Sequence, residues 1–246
     1  MEAYIGKIEP VSSELWKGNL SIGIYFAGCD YNCPSCNTPE FLQTKEEYVL
    51  SLKEVKKAIK EAASQVHAVI FTGGEPTLHR QQLINLASYA KDLGLKVGIN
   101  TNGSKTECIR SLLSLGILDF IAIDIKTPLT EDIFQKATRS RTFFKTSNEQ
   151  LHDYKNTLKL LRTHDKKLEI EFNTLIIPSI ISRKEDLFEI AAQIEDINSI
   201  WTLLPFQPES VVNKRFKEIK PPSMRFLEDL RYAIKKKYPK LRIFVD

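Results

Sequence analysis

Short apolar, β-branched runs alternate along the chain with amphipathic stretches. "SIGIYFA" (21–27), "HAVIFT" (67–72), "KVGINT" (96–101), "DFIAIDIK" (119–126), "KLEIEFNTLII" (167–177) and "SIWTLLP" (199–205) read as strands. Helical period separates them in "SLKEVKKAIKEAASQ" (51–65), which opens on a Ser N-cap, in "RQQLINLASYAKDLG" (80–94), "KTECIRSLLSLG" (105–116), a stretch over roughly 148–163, and "RKEDLFEIAAQIED" (183–196). Gly94 and Gly116 stand where a glycine commonly stops a helix. Residues 127–147 and 206–222 read as irregular, and a basic helix over about 222–237 precedes a last short strand, "LRIFV".

Strand and helix in repeated alternation, with connections too long for hairpins, predict a parallel sheet with right-handed crossovers. Six strands before the tail are too few for a closed (β/α)8 barrel, which leaves an open, curved partial barrel or a doubly wound sheet. Either fold binds ligands at the C-terminal ends of its strands. The chain's unusual residues gather at those ends: Cys29 after strand one, "TGGEPT" (72–77) after strand two, "NTNG" (100–103), "DIK" (124–126), Asn173 and Thr174 on strand five, and "PFQP" (205–208). One site on one face is the expectation, in a single domain over 1–246 with its core at about 21–208 and a basic extension at 209–246.

Composition narrows the picture modestly. An apolar fraction of 42% supports a core, and a net charge of +4 alone does not argue for nucleic acid. Residues 211–246 carry eleven Lys/Arg against four Asp/Glu, while the rest of the chain sums to −3. That excess reads as a solvated helix or as a docking surface for an acidic partner, protein or RNA. No run approaches the ~18 apolar residues of a membrane span, and "MEAYIGKIEP" has neither the basic nor the apolar region of a signal peptide. Four cysteines, three of them clustered, do not make a disulfide framework and suit a reducing cytoplasm.

Cys29, Cys33 and Cys36 fall within "FAGCDYNCPSCNTPE" (26–40) as C-x3-C-x2-C. Structural zinc wants four ligands, and His67, His79 and Cys108 lack the usual short pair spacing for a fourth. An iron–sulfur cubane normally takes four thiolates. Three leave one iron open, as an open zinc site keeps a position for substrate.

The cysteine motif after a first strand, followed by GGEP after a second, resembles the radical S-adenosylmethionine (SAM) superfamily. The resemblance spans about 21–208. It implies a partial, open (β/α)6 TIM-like barrel with a C-terminal helix and short strand. It also implies a [4Fe-4S] cluster held by Cys29, Cys33 and Cys36, with SAM on the open iron. Reductive cleavage of SAM to a 5′-deoxyadenosyl radical would follow, fed by an electron donor such as flavodoxin or ferredoxin. Gly73, Gly74, Glu75 and Pro76 would receive the methionyl ammonium, since glycines let carbonyls approach and carbonyls and a carboxylate accept from –NH3+.

Within the superfamily, "CNTPE", "NTNG" and "DIK" are similar to segments of the glycyl-radical-enzyme activases, which makes Asn100, Thr101, Asp124 and Lys126 candidate SAM-site residues; Asn173, from its place on strand five, reads as a polar contact to SAM or a hydrogen bond within the barrel. "LLPFQP" and "IKPPSMRFLEDL" look like the anaerobic ribonucleotide reductase activating proteins. Ser35 stands where the family usually has an aromatic residue, and Asn100 where the activases often have Asp.

The expected hydrogen donor is therefore a glycine of a partner reductase. A small molecule or tRNA base, as in deazapurine synthesis, is the rival, and a non-catalytic iron–sulfur protein a third reading. Cys108 reads as packing or a bystander, His79 as an ordinary helix-start histidine or one that faces the site, and too few cysteines remain for an auxiliary cluster. Arg139, Arg141 and Lys145 read as loop residues or substrate contacts, and Phe206 and Gln207 as adenine contacts or a cap on the barrel.

Overall fold

The computed structural model describes residues 1–140, 145–178 and 180–246, so Arg141 lies outside the described residues. The chain forms two compact units, and each is described by itself.

The first unit comprises 1–30, 40–101 and 105–122. It contains strands β1 (Glu2–Ser12), β2 (Ser21–Phe26), β3 (Val49–Ser51), β4 (Ala68–Gly73) and β5 (Lys96–Thr101), and the first residues of β6 (Phe120–Asp124). Helices α1 (Leu52–Ala62), α2 (Arg80–Asp92) and α3 (Thr106–Ser114) join them. Strand order is β3-β1-β2-β4-β5-β6. The β2–β4 and β4–β5 pairs are parallel, as the alternation predicts. The central residues Ile24, Val69, Ile70, Phe71, Val97 and Ile99 are inaccessible to solvent, which is why these strands read as continuous apolar runs.

Two strands escaped the sequence reading. β1 pairs antiparallel with both β2 and β3. Gly6, Pro10 and the four charged or polar side chains Glu2, Lys7, Glu9 and Ser12 dilute its pattern, and its register slips between Ile5 and Lys7 and between Glu9 and Ser12. A β-bulge accommodates the proline there. β3 is three residues long and runs straight into the N-cap of α1. Ser51 accepts from the Glu54 backbone while Glu54 accepts from the Ser51 backbone, a complete capping box. Gly94 and Gly116, at φ 79° and 66°, do stop α2 and α3.

The second unit comprises 31–39, 102–104 and 123–246. It holds the end of β6, strands β7 (Glu169–Ile176), β8 (Ile200–Pro205) and β9 (Arg242–Val245), and helices α4 (Glu131–Thr138), α5 (Ser147–Arg162), α6 (Lys184–Ile194), α7 (Lys214–Lys217) and α8 (Met224–Lys237). Strand order is β6-β7-β8-β9, and β7–β8 and β8–β9 are parallel. The expected α/β architecture is present in β2, β4, β5, β6, β7 and β8 with their interleaved helices, followed by α8 and β9; β1 and β3 are additional to it. Buried Trp201 donates to Thr174 Oγ1 at 2.9 Å, and Thr174 donates to Ile125 O at 2.9 Å, so even the polar atoms of this core are paired.

The stretch 127–147 is not irregular throughout, because α4 lies within it. Only eight residues long, with no side-chain hydrogen bond at its Thr130 N-cap, it gives too little period to detect. The stretch 206–222 likewise contains the single-turn α7. Among the described residues no helix is long and apolar enough to cross a membrane.

Candidate functional site

In the first unit the cysteine loop leaves β2 through Gly28, whose φ of 102° suits only glycine. Gly28 N donates to Phe41 O at 2.8 Å and Cys29 N to Leu42 O at 3.1 Å. The His79 ring stacks on Phe26 at 5.1 Å, and its Nε2 donates to Ala27 O at 2.8 Å. Burial holds the His79 pKa below its ordinary value, opposed by that bond, and the neutral ring serves as a prop beneath the loop. Asp30, its side chain only 9% exposed, pairs with Lys105 at 2.7 Å, which ties the residue after Cys29 to the start of α3.

GGEP turns out of β4 beside this loop. Gly74 N donates to Phe26 O and Glu75 N to Gly28 O, both at 2.8 Å. A Cβ on Gly73 would meet the Phe26 backbone, and one on Gly74 would meet Gly28 O and Phe41 O. These glycines therefore make room for the chain's own backbone, whatever they also offer a ligand. Glu75 is fully buried, and its Oε1 accepts from Thr77 N at 3.0 Å, from the Thr77 hydroxyl, and from Thr101 Oγ1 at 2.6 Å. That carboxylate oxygen clasps the ends of β4 and β5 together. Pro76 is buried at the first position of a short 3-10 turn that Glu75 caps.

Thr101→Val should cost about 1–3 kcal/mol, because it removes one donor from a carboxylate with no access to water. Thr101→Ser should lie near wild type. Unfolding in denaturant checks both, and equal stability of the two variants would leave the clasp without energetic weight. Asn100, one residue earlier, has a buried Oδ1 with no hydrogen-bond partner.

In the second unit Cys33 Sγ donates to Thr138 O at 3.7 Å, and the same oxygen accepts from Asn32 N at 2.9 Å. The C-terminal end of α4 thus holds this part of the loop. Cys36 N donates to Cys33 O at 3.1 Å, and Cys36 Sγ lies 3.9 Å from Thr38 Oγ1. Burial pushes the Cys33 thiol up to about 11, while Lys126 pulls it back toward the thiolate. Lys126 bonds Asp124 at 2.7 Å. Its pKa is raised although burial acts to lower it, because Asp124 and the Cys33 thiol outweigh that burial.

Helix α5 braces the same strand end. Tyr154 donates to Asp124 O at 3.2 Å and Thr157 to Gly103 O at 2.8 Å. Asn173 gives its carbonyl to Ile125 N at 2.8 Å, and its side chain makes no hydrogen bond to another described residue.

Several sequence expectations separate here. Phe206 is packed against Ile177 and Val211 and meets Phe216 edge-on, which makes it core and not an adenine contact. Lys145 is paired with Asp153. Arg139 is exposed at the end of α4, at φ 45°. Cys108 is buried in α3, its thiol pushed up to about 12 by burial and by Glu75. The supports Lys105, Thr77 and Thr138 left no trace in the sequence pattern. Gly28 did leave one, as a glycine directly between a strand and a cysteine.

The donor set suits an iron–sulfur cluster and SAM. None of the three loop cysteines is in a disulfide, and thiolates are the ligands such clusters take. Among the described residues no three His, Cys, Asp or Glu side chains converge closely enough to hold one metal ion. Cluster thiolates each bind a separate iron and need not converge so tightly. In the first unit, the buried, partnerless Asn100 Oδ1 suits a ligand N–H or O–H donor.

A family model described as the radical SAM superfamily matches residues 24–190. A Methanocaldococcus jannaschii protein, provisionally named a glycyl-radical enzyme activating enzyme, is 27% identical over 96% of this chain and 93% of its own. A 7-carboxy-7-deazaguanine synthase of Clostridium acetobutylicum is 32% identical over 71% of this chain and 73% of its own. Streptococcus suis SuiB, solved with S-adenosylmethionine, shares the fold with a TM-score of 0.64 at 18% identity; the match covers 89% of this chain and 48% of that one. The chain belongs to the radical SAM superfamily, whose members work with a [4Fe-4S] cluster and S-adenosylmethionine.

Proposed function

We propose that the chain is a cytoplasmic activase that makes a glycyl radical in a partner enzyme, an anaerobic ribonucleotide reductase being the first candidate. The observation that carries this is the near end-to-end likeness to the M. jannaschii protein, together with "CNTPE", "NTNG" and "DIK". Cys29, Cys33 and Cys36 would hold the cluster. Gly73, Gly74, Glu75, Pro76, Asn100, Thr101, Asp124, Lys126 and Asn173 would surround SAM. When bound, the cluster and SAM supply one-electron cleavage and, through it, hydrogen-atom abstraction.

The chain's own residues hold and orient. Gly28 and the Lys105–Asp30 pair set the Cys29 limb of the loop, and Thr138 O sets the Cys33 limb. The Glu75 clasp keeps GGEP and Thr101 in register, and Tyr154 fixes the strand end that carries Asp124 and Lys126. Asn100 Oδ1, buried without a hydrogen-bond partner, would accept from SAM. A flavodoxin or ferredoxin would deliver the electron.

A second reading, synthesis of a deazaguanine, rests on the C. acetobutylicum likeness. One experiment separates them. Reconstituted protein, SAM and dithionite are incubated with a purified anaerobic reductase and, in parallel, with a small-molecule extract. A glycyl radical in the paramagnetic resonance spectrum supports the activase. Its absence together with 7-carboxy-7-deazaguanine in the mass spectrum replaces it with the second reading.

A further inference from the structure

The basic excess of the C-terminal region divides in two. On β9 and the C-terminal two-thirds of α8, most cations are used within the chain. Lys235 Nζ donates to Leu241 O at 2.6 Å, Lys237 sits 4.5 Å above the Phe188 ring, Arg231 pairs with Glu228 at 2.6 Å, and Arg242 donates to Ser199 O at 3.3 Å. In 212–226 the pattern differs. Lys214, Arg215, Lys217, Lys220 and Arg225 are all exposed, and none makes an ion pair or side-chain hydrogen bond to another described residue. Glu218 is the one acidic residue in that stretch. Val212, Met224 and Phe226 add apolar surface there, at 66%, 52% and 37% exposure.

This segment is anchored. Phe216 and Ile219 point inward, packed on the cluster of Ile177, Phe206 and Val211. Ile177 and Phe206 directly follow the ends of β7 and β8, and Phe206 N donates to Ile176 O at 3.3 Å. The unspent charges are thereby held at the C-terminal ends of these strands, three residues beyond Asn173–Thr174, which contact Ile125 beside Lys126.

We propose that 212–226 is the docking surface for an acidic polypeptide face of the partner enzyme. Five cations with one anion gain nothing within the fold and repel one another, so their favourable partner is external and negative. The interleaved Val, Met and Phe side chains favour a protein over a nucleic acid, because interface cores are enriched in Met, aromatic residues and Arg, and Val and Met offer no ring for a base to stack on. The proposal rests on the activase reading and names the surface through which it reaches its substrate.

The test uses cluster-loaded protein without oxygen, as wild type and as the variant Lys214→Glu/Arg215→Glu/Lys217→Glu/Lys220→Glu. The probes are fluorescent poly-L-glutamate, the anaerobic reductase and an unmodified tRNA transcript. Wild type should bind poly-L-glutamate and the reductase, with affinity falling about tenfold between about 50 and 300 mM NaCl as screening shortens the reach of exposed charges. The variant should bind both about thirtyfold more weakly, four exposed pairs at modest strength each. It should release 5′-deoxyadenosine from SAM as wild type does. Val212→Ser/Met224→Ser should weaken reductase binding and leave poly-L-glutamate binding unchanged. If the charge-swapped chain misfolds, the four-fold Gln variant replaces it, with the same ordering expected.

Wild-type affinity in the variant overturns the proposal. So does steep salt-dependent binding of tRNA, lost in the variant, without binding of poly-L-glutamate. Docking without any glycyl radical, even in wild type, would sink the activase reading and leave the surface standing. A radical formed equally fast by the variant would sink the surface and leave the activase.

Discussion

Replacing Cys29, Cys33 or Cys36 singly by Ala should abolish the cluster, while Cys108→Ala keeps it. Reconstituted wild type should carry about four irons and four sulfides per chain. The contrast follows from environment. Cys33 and Cys36 are half-buried in a loop; burial disfavours the Cys33 thiolate, and the neighbouring Lys126 works against that burial. Cys108 is 3% exposed inside α3, and both burial and the nearby Glu75 carboxylate disfavour its thiolate. Its replacement should cost only the packing of a small buried group, about 1 kcal/mol. Iron and sulfide analysis with the visible absorption of the reconstituted proteins decides the matter. Full iron in any of the three loop variants would contradict the ligand assignment, and loss of iron in Cys108→Ala would bring that thiol into it.

The second large effect is on folding and needs no cofactor. Gly74→Ala should destabilise the apoprotein by about 3 kcal/mol or more, because its Cβ is driven against the carbonyls of Gly28 and Phe41. In a chain of this size that lowers Tm by roughly 10 °C. Gly73→Ala should be worse still, since it adds a φ of 106° to a collision with the Phe26 backbone. Gly94→Ala is the control, with φ at 79° but nothing within 4 Å, so only strain of about 1 kcal/mol is expected. The ranking Gly73, Gly74, Gly94 is read from thermal melts of apoprotein. Normal melting of Gly74→Ala with impaired SAM binding would return that glycine to the ligand-approach role inferred from its motif.

The Lys235, Lys236 and Lys237 region illustrates how charge counting misleads. In sequence it is the densest basic run of the tail, and a natural target for charge reversal. Two of its three lysines are engaged by Leu241 O and the Phe188 ring, so reversing them would disturb α8 before it touched any partner.

What depends on neighbours in the chain could be read directly. The alternation of β and α, the Ser51 cap, the glycines that stop α2 and α3, and the C-x3-C-x2-C and GGEP motifs are all local patterns, set by backbone sterics and ligand spacing over a few residues. What depends on distant partners could not. Lys105 meets Asp30 and Thr101 meets Glu75 only because parallel crossovers bring successive strand ends together, and Thr138 O reaches Cys33 across 105 residues. The same holds for β1, whose diluted pattern forms a strand only once β2 and β3 offer their edges. The glycines of GGEP belong to both levels: their presence is local, but the crowding that makes them necessary comes from Phe26, Gly28 and Phe41, and only the packed fold puts that backbone there.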